Sequence, residues 1–186
     1  MTTPAPPPSP EPAEPAEPAR VAPRLLAAAR EAARRAWAPY SAFPVGAAVL
    51  TSEGEIVLGC NVENAAYGEA ICAERNAVTS MVATGARPGG DATGGRDAGA
   101  AAGASKAPFP EVGPPPTVVA VAVVGLKAAP CWPCGACRQV LREFHCRHVI
   151  VEDEAGRPLI LPFDQILPHS FGPEALDTPA PHAPGE

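Results

Sequence analysis

Four residues stand out by type and spacing. Cys72 and Glu74 are separated by one residue in Cys-Ala-Glu-Arg, and Cys134 and Cys137 by two in Pro-Cys-Gly-Ala-Cys-Arg. Each pair opens a stretch that reads as a helix. A helix start carries unsatisfied N–H groups and the positive end of the macrodipole, and both favour thiolate over thiol. Two such starts facing each other would supply three thiolates to one zinc ion. A structural zinc takes a fourth protein ligand, whereas a catalytic zinc leaves that place for water. Glu74 would then stand beside the open place as a carboxyl able to take a proton from water and return it. Three thiolates leave an anionic centre that calls for positive charge nearby. Arg75 follows Glu74 and Arg138 follows Cys137, and Arg75 is the candidate to hydrogen-bond a thiolate.

The flanking sequence supplies elements that could hold these groups. Leu26, Ala29, Ala33 and Trp37 recur at helical spacing, which predicts a helix over 25–38 that ends at Pro39 and keeps Trp37 in the core. Phe43, Val45, Ala47 and Val49 alternate as in a strand, and Ile56 and Leu58 return after the turn at Ser52-Glu53-Gly54. Residues 61–69 are small and polar and read as a loop, and 72–83 as a helix. The β-branched run 117–124 suits a central strand buried on both faces. A helix follows over 134–144, then short strands at 149–151 and 159–161 and a short helix at 163–167. The order predicts an α/β fold in three αβα layers: a mixed five-stranded sheet with helices on both faces.

Composition narrows the function. The chain has 186 residues with 26 Pro and 17 Gly, concentrated in 1–24, about 84–116 and 173–186. These stretches read as a disordered Pro/Ala/Glu tail, a Gly/Ala/Pro-rich insertion and a second disordered tail around one domain at 25–172. The net charge is −6 and no Lys/Arg block occurs, which argues against a nucleic-acid partner. No apolar run is long enough to span a membrane, and no secretory signal opens the chain. A cytoplasmic protein is expected. Its six cysteines would be metal ligands or buried thiols rather than disulfides.

Each motif alone has a plainer reading. A single Cys-x-x-Cys serves structural zinc and redox pairs as well. Cys131, Cys134, Cys137 and Cys146 could make a structural Cys₄ site, but that leaves Cys72 and Glu74 without a use. Cys60 and Cys146 read as inert thiols and Cys131 as a bystander. His145 and His148 read as helix C-terminal charges. Asn61 and Glu63 alone would be turn residues.

The combination is more specific. Cys-x-Glu followed by Pro-Cys-x-x-Cys is the zinc-deaminase pattern. The sequence resembles the small, tetrameric cytidine deaminases over roughly 25–83 and 117–172. The resemblance rests on Ala-Pro-Tyr-Ser-x-Phe-x-Val-Gly-Ala-Ala (38–48), Gly-Cys-Asn-Val-Glu-Asn-Ala-Ala-Tyr (59–67), Cys-Ala-Glu-Arg (72–75), Pro-Cys-Gly-Ala-Cys-Arg-Gln-Val (133–140) and Leu-Pro-x-Ser-Phe (167–171). It implies a cytidine-deaminase-like fold, with one zinc per subunit on Cys72, Cys134 and Cys137 and Glu74 as proton shuttle. It implies that Asn61 and Glu63 bind the ribose hydroxyls, that Phe43 packs on the base and that the Ala73 backbone reads the pyrimidine edge. Tyr67 and Phe171 would complete a neighbouring subunit's site in a homotetramer. The implied reaction is hydrolytic deamination of cytidine and 2′-deoxycytidine in pyrimidine salvage. Two other readings remain: a deaminase of another aminopyrimidine nucleoside such as blasticidin, and a non-catalytic zinc-stabilised scaffold. The intact Phe43 motif and the Asn61–Glu63 pair favour the plain nucleoside over the first, and Glu74 counts against the second.

Overall fold

The computed structural model describes residues 18–84 and 117–176. Its elements are α1 (Pro18–Ala33), β1 (Val45–Thr51), β2 (Ile56–Cys60), α2 (Ala73–Thr84), β3 (Val118–Gly125), α3 (Gly135–Glu143), β4 (His148–Glu152), β5 (Pro158–Pro162) and α4 (Phe163–Ile166). Short 3₁₀ turns lie at Tyr67–Glu69 and Pro173–Ala175. The strands form one sheet in the order β2-β1-β3-β4-β5. Only the β3–β4 pair is parallel, with α3 as its crossover. This is the expected mixed five-stranded sheet.

Side-chain alternation along the strands creates the three layers. Ala48 and Leu50 of β1 and Ala120, Ala122 and Val124 of β3 face α1, meeting Ala22, Leu25, Leu26 and Ala29. Ala47, Val49, Val121 and Val123 face the other way, onto Ala77, Val78 and Met81 of α2 and Leu141 of α3. The run of Val and Ala in β3 is thus buried on both faces in mid-sheet, as its composition predicts. Each large side chain so buried contributes roughly 1.5–3 kcal/mol relative to exposure.

Helix α1 departs from expectation at both ends. It begins at Pro18 rather than residue 25, so residues 18–24 belong to the domain and not to a tail. Pro23 lies inside it, where the missing N–H removes one hydrogen bond near the helix start. The buried stripe already includes Ala22, and its packing outweighs that loss. The helix stops at Ala33 rather than 38 because the next segment finds another backbone partner. Trp37 N–H donates to the Asn61 carbonyl at 3.0 Å, and Glu63 N–H donates to the Trp37 carbonyl at 2.8 Å. Pro39 further disfavours helix in the residues before it. Trp37 is therefore 62% exposed and not a core residue. At the other end of the domain, the Pro173–Ala175 turn is ordered inside the stretch expected as a tail. Most of the predicted insertion, and the rest of both predicted tails, lie outside the described residues.

One close approach sets up the site. Gly59 of β2 lies against the start of α2, where a Cβ would collide with the Ala73 carbonyl and the Ala77 amide. The missing side chain lets the first turn of α2 sit directly on the sheet.

Candidate metal and active site

Helices α2 and α3 begin in the same way. The Cys72 carbonyl accepts the Asn76 amide and the Cys134 carbonyl accepts the Arg138 amide, both at 3.0 Å. Each cysteine therefore opens the first turn of its helix. Cys137 follows within the first turn of α3 and is buried. The three Sγ atoms lie within 4.8 Å of one another, and Cys72 and Cys134 are 3.8 Å apart. Among the described residues this is the group of three or more Cys, His, Asp or Glu that could hold a metal ion.

The electrostatics suit a cation. A hydrogen bond from Cys137 pulls the Cys72 thiol down to about 5 against the cost of burial, with Cys134 and Arg75 adding to the effect. The same hydrogen bond, followed by burial and the Glu74 charge, pushes Cys137 far up. Three soft sulfur donors match the preference of zinc, which would bind them as thiolates. Arg75 donates to the Ala70 carbonyl at 2.9 Å. Burial opposes its charge, but Cys72 and the fields of Cys137 and Cys134 raise its pKa. The Arg75 Nε is buried without a hydrogen-bond partner.

Glu74, the second residue of α2, is 4% exposed. Burial raises its pKa first, and the Cys72 charge raises it further, while its own backbone N–H and a hydrogen bond with Cys137 oppose the shift. A carboxyl poised toward its protonated form beside three thiols is suited to carry a proton in both directions.

Asn61 and Glu63 both grip the segment that carries Phe43. Asn61 Oδ1 accepts the Val45 amide at 2.8 Å, and its Nδ2 donates to the Phe43 carbonyl at 3.1 Å. Glu63 accepts the Tyr40 amide at 2.8 Å. The half-buried Phe43 ring lies on the end of β3, where a Cβ on Gly125 would come within 3.0 Å of it. Glu63 also lines a cavity of about 350 Å³ with Tyr40, Ser41, Asn64 and Tyr67. Tyr40 and Tyr67 pack edge to face, with centroids 6.0 Å apart. Ala73 is fully buried, whereas Tyr67 and Phe171 are 78% and 62% exposed. A larger cavity, about 560 Å³, lies around Arg142, Arg147 and His169 and includes none of the predicted site residues.

Sequence reasoning missed Ser41, although it lies inside a motif. It also left Arg138 with only a possible role as a nearby charge. In the structure, Arg138 bonds the carbonyls of Pro133 and Ile166 at 2.8 and 2.9 Å.

Residues 20–153 match the family described as the cytidine and deoxycytidylate deaminase zinc-binding region. The chain is 36% identical over 148 residues to a cytidine deaminase of Mycobacterium tuberculosis, a match covering 80% of this chain and 87% of that one. It is 38% identical over 121 residues to a cytidine deaminase of Sporosarcina psychrophila, covering 65% and 68%. The crystal structure of the Burkholderia pseudomallei cytidine deaminase superposes with a TM-score of 0.59 at 37% identity, covering 80% of this chain and 97% of that one. The chain belongs to the cytidine deaminase family.

Proposed function

We propose that the chain hydrolyses cytidine and 2′-deoxycytidine to uridine and 2′-deoxyuridine with release of ammonia, as a step of pyrimidine salvage. The observation that carries this reading is the buried Glu74 carboxyl, two residues from Cys72 in the three-cysteine cluster that could hold a metal ion. A zinc ion held by Cys72, Cys134 and Cys137 supplies the Lewis acidity that makes water nucleophilic near neutral pH. Glu74 takes a proton from the attacking water and delivers it to N3 of the base. It then transfers the second water proton to the departing amino group. The C4–N bond breaks, ammonia leaves and C4 becomes a carbonyl. Arg75 and the two helix starts balance the thiolate charge.

In this reading Asn61 and Glu63 hold the ribose hydroxyls, Phe43 packs on the base and the Ala73 backbone meets the pyrimidine edge. Tyr67 and Phe171 are exposed aromatics that a second subunit would cover, and this supports a homotetramer with shared sites. The reading places the enzyme in the cytoplasm; among the described residues no helix is long and apolar enough to cross a membrane.

The test is Glu74→Gln in zinc-loaded protein, with cytidine followed by ultraviolet absorbance. The variant should retain zinc and its melting temperature, with turnover reduced by about 10²–10⁴-fold. Full turnover in that variant would sink the mechanism. A parent protein that binds zinc but leaves cytidine unchanged would shift the substrate to another aminopyrimidine nucleoside.

A further inference from the structure

Helix α3 delivers two of the three thiols, and its outer residues also hold the segment that follows α4. Arg138 Nε donates to the carbonyl of the buried Pro133, and its Nη1 donates to the carbonyl of Ile166. Gln139 Nε2 donates to the Phe171 carbonyl at 3.0 Å, and Arg142 Nε donates to the Ser170 hydroxyl at 2.9 Å. One surface of α3 thus fastens the chain from Ile166 to Phe171.

Arg138 differs from its neighbours in what its other nitrogen touches. Pro133 immediately precedes Cys134, and its peptide leads the chain into the extended conformation of Cys134 (φ −68°, ψ 166°). The Pro133 carbonyl lies outside the helix, so no helical N–H satisfies it. Ile166 ends a four-residue helix whose capping amide, Leu167 N–H, donates to the Phe163 carbonyl rather than to that of Ile166. The planar guanidinium spans both acceptors at once, with a fixed angle between its N–H groups. A lysine ammonium lacks that fixed fork.

We propose that Arg138 is a positioning residue that ties the seating of Cys134 to the placement of the Ile166–Phe171 segment. Through the first bond it fixes the turn that aims the exposed Cys134 thiol at the other two. Through the second it fixes the root of the segment that presents Phe171. Metal seating and aromatic placement are then set by one side chain. The assignment of Phe171 to substrate binding rests on the function proposed above, whereas the effect on Cys134 does not.

The experiment compares Arg138→Gln, Arg138→Lys and Arg142→Gln in the full zinc-loaded chain. Arg142→Gln disturbs the Ser170 contact and leaves the Pro133 bond intact. Three quantities are read: zinc release to a chromophoric chelator, the thiolate-to-metal absorption of the cobalt-substituted protein, and kcat and KM for cytidine. Arg138→Gln should release zinc about tenfold or more faster, shift the cobalt absorption and raise KM. Arg142→Gln should raise KM with zinc release and the cobalt spectrum unchanged. Arg138→Lys, which keeps the charge and should fold if the glutamine variant does not, should fall between parent and Arg138→Gln in zinc release.

Zinc release and a cobalt spectrum equal to the parent's in Arg138→Gln would overturn the proposal, even if its melting temperature fell. Full restoration by Arg138→Lys would overturn the two-carbonyl bridge. Zinc release and the cobalt spectrum need no substrate. A chain that held zinc and failed to deaminate cytidine would therefore defeat the functional reading and leave this one standing.

Discussion

Glu63 and Ser41 are joined twice: the Glu63 carboxylate accepts the Ser41 backbone amide at 3.2 Å and also its side-chain hydroxyl. The same hydroxyl accepts the Phe43 amide at 3.0 Å. A residue proposed to hold ribose is therefore also the anchor of the segment carrying the aromatic proposed to hold the base. A hydroxyl that donates to a carboxylate becomes a better acceptor, so the two bonds reinforce each other. Ser41→Ala should loosen Phe43 and raise KM for cytidine roughly three- to tenfold with kcat little changed. Steady-state kinetics decides it, and a change confined to kcat would contradict the anchoring role.

The same pair sets a pH dependence. The hydrogen bond from the Ser41 hydroxyl is the largest influence holding the Glu63 carboxyl below its ordinary value of 4.5, with the amides of Tyr40 and Ser41 assisting. A carboxyl with a depressed pKa contributes fully above its ordinary value and loses that contribution as pH falls through the lowered one. Protection of the Tyr40 and Ser41 amides, measured by NMR exchange corrected for intrinsic rates, should be flat above pH 4.5 and decline below it.

Removing the metal should expose thiols selectively. Chelation should abolish turnover, lower the melting temperature and make the three ligand cysteines newly titratable with a disulfide reagent. Burial pushes the Cys146 thiol up to about 12 and the Cys131 thiol up to about 11, so both stay neutral at pH 8. Both should react more slowly than Cys72 after chelation. Mass-spectrometric mapping of the modified sites checks the order.

Two substitutions on opposite faces of the sheet should separate stability from function. Leu25→Ala empties a fully buried position on the α1 side and should cost about 2–5 kcal/mol with kcat and KM unchanged in the folded fraction. Gly59→Ala drives a methyl into the Ala73 carbonyl, beside Cys72 and Glu74. It should cost about 1–3 kcal/mol as overpacking and should also reduce zinc content. Denaturant melts paired with zinc quantitation make the comparison. Normal zinc content in folded Gly59→Ala would show that the first turn of α2 can shift without disturbing the cluster.

The sequence determined much of this protein by itself. Alternation in 45–49 and the β-branched run in 117–124 identified strands, because a strand shows its two faces at period two in the chain itself. The cysteine spacings and Glu74 marked a candidate metal-assisted site, because Cys72–Glu74 and Cys134–Cys137 each lie close together at a helix start, whereas the meeting of the two pairs, 62 positions apart, belongs to the fold. The tertiary structure decided whatever depended on distant backbone partners. Trp37 lies at helical spacing, yet the Asn61 and Glu63 peptides draw it out of the helix and leave it exposed. Pro23 lies before the helix expected at 25–38, yet α1 runs through it because Ala22 already packs on the sheet. In the sequence Ser41 is one unremarked residue of a motif and Arg138 only a charge near the thiolates. Their acceptors, Glu63 and Ile166, lie 22 and 28 positions away, and only the folded chain brings them within hydrogen-bond reach.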